Sequence, residues 1–261
     1  MTRILVVEHE ADAGIGLVGE RMEELGVDMA VVGPETGREV PRSAEGYDGV
    51  VVLGGSASPT DTAQPGSANV RALLRDCLDR EVPLLGICLG AQLLGLAAGG
   101  RTDLVRGGPE IGMGVLRRTA AATEDPLLGD VPETMRSLQW HSYEVRALPP
   151  GSEALVSSDR CTNQAFRVGT RAWALQFHLE ALGDTPAAWA AGHGDELAGA
   201  GLAVDDLTAA MFAAEPELRA TWVPVADRWL RIVFERRGSG SSHGEPNLAR
   251  SARVISPHHK G

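Results

Sequence analysis

The chain is expected to fold as a three-layer α/β sandwich with a mostly parallel central sheet, an antiparallel strand extension and a C-terminal helical appendage. Three observations lead there. Across residues 4–100, short apolar runs alternate with segments of helical spacing, the rhythm of parallel strands joined by crossover helices. Across residues 137–178, strand-like runs follow one another too closely for helices to intervene, which suits an antiparallel or mixed extension. From Thr185 onward apolar residues recur at three- and four-residue spacing, as on packed helices.

In chain order, residues 4–7 are wholly apolar and read as a buried strand, and residues 14–25 place Ile15, Val18, Met22 and Leu25 on one helical face. Residues 27–32 form a second strand, stopped by Gly33 and Pro34. A polar connection leads to a third strand at 50–53, followed by Gly54 and Gly55. Residues 70–78 are helical, 82–87 form a strand broken only by Pro83 and Gly86, and 89–98 form a tightly packed helix. Ligands of such sheets bind beyond the carboxyl ends of the strands, where Gly54, Gly55 and Cys88 all fall. Residues 99–135 are glycine-rich and polar, with short strands such as 114–116. Further strands are expected at 137–141, 154–157, 163–168 and 171–178, with Trp140, Phe166, Trp173 and Phe177 as core residues. Helices at 187–197, 205–212 and 216–236, carrying Trp222, Trp229 and Phe234, form the appendage. Residues 238–261 have little to bury and are expected to be a disordered tail, whose Arg250, Arg253 and Lys260 suit an acidic partner. The expected organisation is one domain over 1–236, with 184–236 as the appendage and 237–261 as the tail.

With 261 residues and 43% hydrophobic content, the chain can bury a full core. Its net charge of −11, from 24 basic against 35 acidic residues, argues against a nucleic acid or an anionic membrane as partner. Three cysteines without metal-ligand spacing point to no metal, no disulfide framework and a reducing, cytoplasmic setting. The apolar run at 4–7 is too short for a signal-peptide core, and no stretch approaches a membrane span.

Chemistry concentrates at Gly86, Ile87, Cys88, Leu89, Gly90, a GxCxG elbow between strand and helix. The helix N-terminus beyond it favours a thiolate and offers N–H groups to an oxyanion. Taken alone, Cys88 reads equally well as a small buried hydrophobe, and Cys77 and Cys161 read as packing or incidental thiols. His178 and Glu180 lie two apart in WALQFHLE, so an extended chain would project both to one face. Alone they would be an ordinary surface pair, but beside a cysteine elbow they supply a base and its orienter. His141 ends another strand, and Gln92 lies one helical turn beyond Cys88 on the same side. His9 ends the first strand and is a weaker candidate for the cleft, since polar strand ends are common.

GICLGAQLLG resembles, almost residue for residue, the nucleophile motif of the class I (triad) glutamine amidotransferases. The order Cys88, His178, Glu180 fits that family, whose second signature is FHPE with proline where Leu179 stands here. An α/β-hydrolase would present its acid before its histidine. LGGSASP resembles the family's GGPxSP loop, with Ser56 in place of a proline, a change expected to loosen it. The segment 139–180 resembles the stand-alone members related to the glutaminase domain of GMP synthetase, with Tyr143 replacing the aspartate of an HGD motif. That replacement is expected to alter recognition of the substrate's amino-acid end.

Across about residues 1–236, the resemblance implies a flavodoxin-like central sheet and hydrolysis of the γ-amide of glutamine through a Cys88 thioester. His178 would be the base, Glu180 its orienter, and the N–H groups of Gly55 and Leu89 the oxyanion hole. Gly54, Gln92, His141, Ser142 and Tyr143 would contact substrate, with no cofactor or metal. An ammonia-accepting synthetase or other biosynthetic enzyme would be the partner. Three other readings stand beside it: a free-standing γ-glutamyl amide hydrolase releasing a larger amine, a catalytically degenerate binding or regulatory protein of the same fold, and an ester hydrolase, which the chain order disfavours.

Overall fold

An apolar run with no polar face forms a strand that must be covered on both sides, and the first strands of this chain are buried in that way. The computed structural model describes residues 1–64 and 66–240. In chain order its first half comprises β1 (Arg3–Val7), α1 (Gly16–Glu24), β2 (Asp28–Val32), β3 (Gly49–Val52), α2 (Ser67–Asp79), β4 (Leu84–Ile87) and α3 (Leu89–Ala97). There follow β5 (Arg101–Leu104), β6 (Glu110–Arg118), β7 (Thr134–His141), β8 (Tyr143–Ala147), β9 (Glu153–Ser157), β10 (Ala165–Val168) and β11 (Ala172–Leu175). Two helices, α4 (Thr185–Gly199) and α5 (Val204–Gly240), complete the described chain.

One sheet runs in the order β2-β1-β3-β4-β11-β10-β9-β6-β7, and β5 pairs separately with β8. Strands β1 to β4 and β11 are mutually parallel, and from β11 outward each neighbour is antiparallel. Side-chain alternation then divides the core in two. Leu5, Val7, Val50, Val52 and Leu84 meet α2 and α3 on one face. Ile4, Val6, Val51, Leu85 and Ile87 share the other face with Val18 and Met22 of α1 and Trp229 and Val233 of α5. Among the described residues no helix is long and apolar enough to cross a membrane.

Several expectations need correction. The strand expected at 171–178 stops at Leu175; His178 makes only an isolated bridge to Leu138, and Glu180 lies in a turn. The helices expected at 205–212 and 216–236 are one helix, with Pro216 and Pro224 inside it. Each proline removes one backbone hydrogen bond but keeps a helical φ, and the buried stripe Met211, Leu218, Trp222, Val225, Trp229, Val233 anchors the helix across both. Strand β6 is nine residues long instead of three. Its glycines hide the alternation, and at Gly114 one is needed, since a Cβ there would come within 2.6 Å of Gln139 Cγ. Strand β8 lies where no strand was expected, and its partner β5 is one of the short strands of the glycine-rich stretch. The first residues of the expected tail extend α5 to Gly240, and the rest of it, 241–261, lies outside the described residues.

Candidate active site

The parallel strands deliver their loops to one edge of the sheet, and the elbow sits there. Cys88 follows β4 directly and has φ 50° and ψ −106°, a sparsely populated conformation that costs a non-glycine residue about 1–3 kcal/mol. It is held there by neighbours: Cys88 N–H donates to Leu175 O at 2.8 Å, and Gly90 N–H to Leu53 O at 3.2 Å. The two motif glycines are required by contact. A Cβ on Gly86 would lie 2.7 Å from Gly90 O, and one on Gly90 would lie 2.0 Å from Val52 O. The elbow therefore presses against the neighbouring strand, leaving Cys88 at the start of α3 with its Sγ 3.7 Å from Trp140 O.

His178 reaches Cys88 from beyond β11. Its backbone is fixed twice, N–H to Leu138 O at 3.0 Å and O accepting from Ser137 Oγ at 3.0 Å. Its Nδ1 lies 2.7 Å from Glu180 Oε1, and its ring lies beside the Cys88 side chain in the same cleft. Burial pushes the imidazole's pKa down, but the Glu180 carboxylate and the Cys88 sulfur outweigh it and raise the value to about 10. The ring therefore carries its proton at neutral pH, which sets a cation between the sulfur and the carboxylate. Gly54 leaves room for this contact, since a Cβ there would sit 3.2 Å from His178 Cε1 and 3.5 Å from Cys88 Cβ. A thiol, a charged imidazole and a buried carboxylate so linked can deliver a nucleophile and later a proton.

The loop after β3 is tied down. Ser56 donates its backbone N–H to Glu10 Oε1 at 2.9 Å, and its hydroxyl binds the same oxygen. The serine expected to loosen the loop thus supplies two donors that a proline would lack. Gly55 is wedged between His9 and Leu89, where a Cβ would lie 2.8 Å from His9 Cβ and 3.3 Å from Leu89 Cδ2. His9 backs this loop and does not line the cleft.

A cleft of about 90 Å³ gathers Gly54, Gly55, Cys88, Gln92, His141, Ser142, Tyr143 and His178. Leu89 lies immediately behind as the first residue of α3, its N–H one of the donors left without a partner within the helix. Gln92 donates Nε2 to Tyr143 O at 3.0 Å and to Gln176 Oε1 at 3.2 Å. The appendage adds two wall residues that motif reading missed. Trp189 of α4 packs edge-on against His178, ring centroids 4.5 Å apart, and donates Nε1 to Asp12 O at 2.8 Å. Glu196 accepts Trp140 Nε1 at 2.9 Å, and with Glu10 and Asp12 it gives the cleft an acidic wall. Helical spacing marked α4 as packed, but nothing local says which loop it covers.

Known proteins resemble this chain in architecture and in sequence. The family profile "Glutamine amidotransferase class-I" matches residues 12–187. The chain is similar to a glutamine-hydrolyzing GMP synthase subunit of Haloarcula marismortui, 32% identical over 69% of this chain and 86% of that protein. The corresponding protein of Natronomonas pharaonis is 30% identical over 69% of this chain and 89% of its own length. Among solved structures, a glutamine amidotransferase from Thermotoga maritima superposes with a TM-score of 0.79 at 26% identity, covering 89% of this chain and 98% of that one. One from Methylobacillus flagellatus gives 0.70 at 25% identity, covering 99% and 100%.

Proposed function

Since the chain belongs to the class I glutamine amidotransferase family, we propose that it hydrolyses the γ-amide of glutamine through a thioester on Cys88 and supplies the ammonia to a partner synthetase. The observation that carries this reading is the linked set of Cys88, His178 and Glu180 at a strained elbow. The Cys88 thiolate attacks the amide carbon. The N–H groups of Gly55 and Leu89 hold the oxyanion, the His178 imidazolium protonates the leaving ammonia, and Glu180 orients the ring. Water, deprotonated by His178, then hydrolyses the thioester. Gly54, Gln92, His141, Ser142 and Tyr143 seat the substrate. The small cleft favours a compact substrate, since sites for drug-sized ligands run to about 300–1,000 Å³. The GMP synthase relatives, each a single subunit of a larger enzyme by name, support an ammonia-accepting partner. The working unit is residues 1–236, with 184–236 as an appendage that walls the site, acting in the cytoplasm without a cofactor.

A second reading draws on one observation. Glu10, Asp12 and Glu196 line the mouth, which suits release of a larger, positively charged amine from a γ-glutamyl amide with no partner needed. Ammonia release from glutamine, compared with amine release from bulkier γ-glutamyl amides and with Cys88→Ser as blank, separates the two. Preference for glutamine supports the glutaminase. Efficient cleavage of bulky amides, with glutamine poorly used even after partner proteins are added back, overturns it.

A further inference from the structure

Resting on the proposed γ-glutamyl amide chemistry, we infer that Glu110, at the start of β6, is a positioning residue: acting through His141, it fixes the segment 141–143 that lines the cleft beside Cys88. Glu110 is a buried carboxylate distant in sequence from every motif. A buried carboxylate is costly unless it is well partnered. Ser158 Oγ donates to its Oε1 at 2.9 Å, Gln164 Nε2 donates to its Oε2 at 2.9 Å, and His141 Nε2 stands 3.3 Å from Oε2. The last is a close polar contact without the alignment of a direct hydrogen bond.

The other ring nitrogen decides what this pair does. His141 Nδ1 lies 2.9 Å from Tyr143 O, and a carbonyl oxygen can only accept, so the proton there belongs to Nδ1. The His141 ring is thus held on both sides, with the Tyr143 carbonyl at Nδ1 and the Glu110 carboxylate beside Nε2. Tyr143 O accepts a second bond from Gln92 Nε2 at 3.0 Å. One carbonyl thus ties the segment to β6 through His141 and Glu110, and to the elbow helix α3 through Gln92. Ser142 O is occupied as well, by Val105 N–H at 2.9 Å. Both carbonyls are engaged by the protein, which sets the orientation of the two peptide planes beside the nucleophile. Without the Glu110 carboxylate, His141 loses the partner that holds its ring against Tyr143.

Glu110→Gln tests this with little change of volume. The amide replaces one acceptor oxygen by an NH2 group, which turns either toward the Gln164 NH2 donor or toward a Ser158 hydroxyl that already accepts other N–H bonds. We expect KM for the γ-glutamyl substrate to rise on the order of tenfold, the scale for one hydrogen bond to a charged group, with kcat changed less than threefold or so. Alkylation of Cys88 by iodoacetamide, which needs no recognition segment, should keep its rate. Alkylation by a glutamine-like diazoketone should slow in step with KM. In a His141→Asn background the Glu110→Gln change should add nothing further, because the two act as one unit. An unchanged KM, a fall in both alkylation rates by one factor, or full additivity with His141→Asn would each overturn the inference. Should the glutamine variant not fold, Ser158→Ala removes one bond from the same carboxylate: a raised KM supports the inference and an unchanged one overturns it. Wild-type protein that ignores the diazoketone fails the proposed function. Wild-type protein that reacts, with a variant that reacts equally fast, fails the role of Glu110.

Discussion

The imidazole of His178 is buried, yet its pKa is raised to about 10 by Glu180 and Cys88 against the effect of desolvation. The proton that, in the proposed mechanism, His178 gives to the leaving group is present below its pKa and lost as pH rises through it. The alkaline limb of kcat/KM should therefore lie near 10, far above an ordinary histidine at about 6.5. Glu180→Gln removes the strongest of the influences that raise the pKa, so the limb should move toward lower pH; a limb that stays in place would show that Glu180 does not set it. In rate, Cys88→Ala should abolish turnover, a loss on the order of 10⁶-fold, while Glu180→Gln should cost less, about 10⁴-fold, as an orienting group does. Single-turnover assays on the two variants check the order. Binding and thermal unfolding should stay near wild type in Cys88→Ala. The remaining thiols should be spectators, since burial pushes Cys77 up to about 12 and Cys161 higher still.

At the scale of elements, the loop after β3 and the two C-terminal helices decide how complete the site is. Glu10 holds the loop through the Ser56 N–H and hydroxyl. Ser56→Pro removes both donors and should let Gly55 drift, at the cost of the oxyanion donor proposed there, about 100- to 1,000-fold in kcat. A Ser56→Pro enzyme with unchanged kcat in the absence of partner would show that the tie to Glu10 does not hold Gly55. Helix α5 belongs to the core: Trp229 is fully buried, and it lies close enough to Gly49 that a Cβ there would be 3.3 Å from its ring. Trp229→Ala should destabilise the fold by about 3–5 kcal/mol in urea unfolding, the usual cost of emptying a buried aromatic site. A change below 1 kcal/mol or so would mark α5 as a loosely attached appendage. These elements also show where sequence stops informing. The GxCxG spacing announced its own turn because Gly86 and Gly90 are required by backbone contact. The pairing of His178 with Glu180 was legible although the reason given for it, strand alternation, was replaced by a turn after Leu175. Trp189, Glu196 and Glu110 were not legible, because each reaches the site by packing between elements far apart in sequence.

At the scale of the whole molecule, the parallel half of the sheet carries the elbow and the loop after β3, and β11 brings His178 up beside them. The antiparallel half supplies the strand that ends at His141, and α4 closes the side. The parallel half was readable because strands buried on both faces are uninterrupted apolar runs. The antiparallel half was readable only in part, since glycines interrupt β6, and in the separate pair β5 is short and mostly polar. All of these parts converge on one sulfur atom. The most direct measurement is therefore acid-quenched mass spectrometry of the protein turning over glutamine, or the γ-glutamyl amide it uses best. A γ-glutamyl adduct on the peptide containing Cys88, absent in Cys88→Ala and on Cys77 and Cys161, is the predicted result. Turnover that proceeds with no adduct on Cys88, or that survives Cys88→Ala at an unchanged rate, would contradict it.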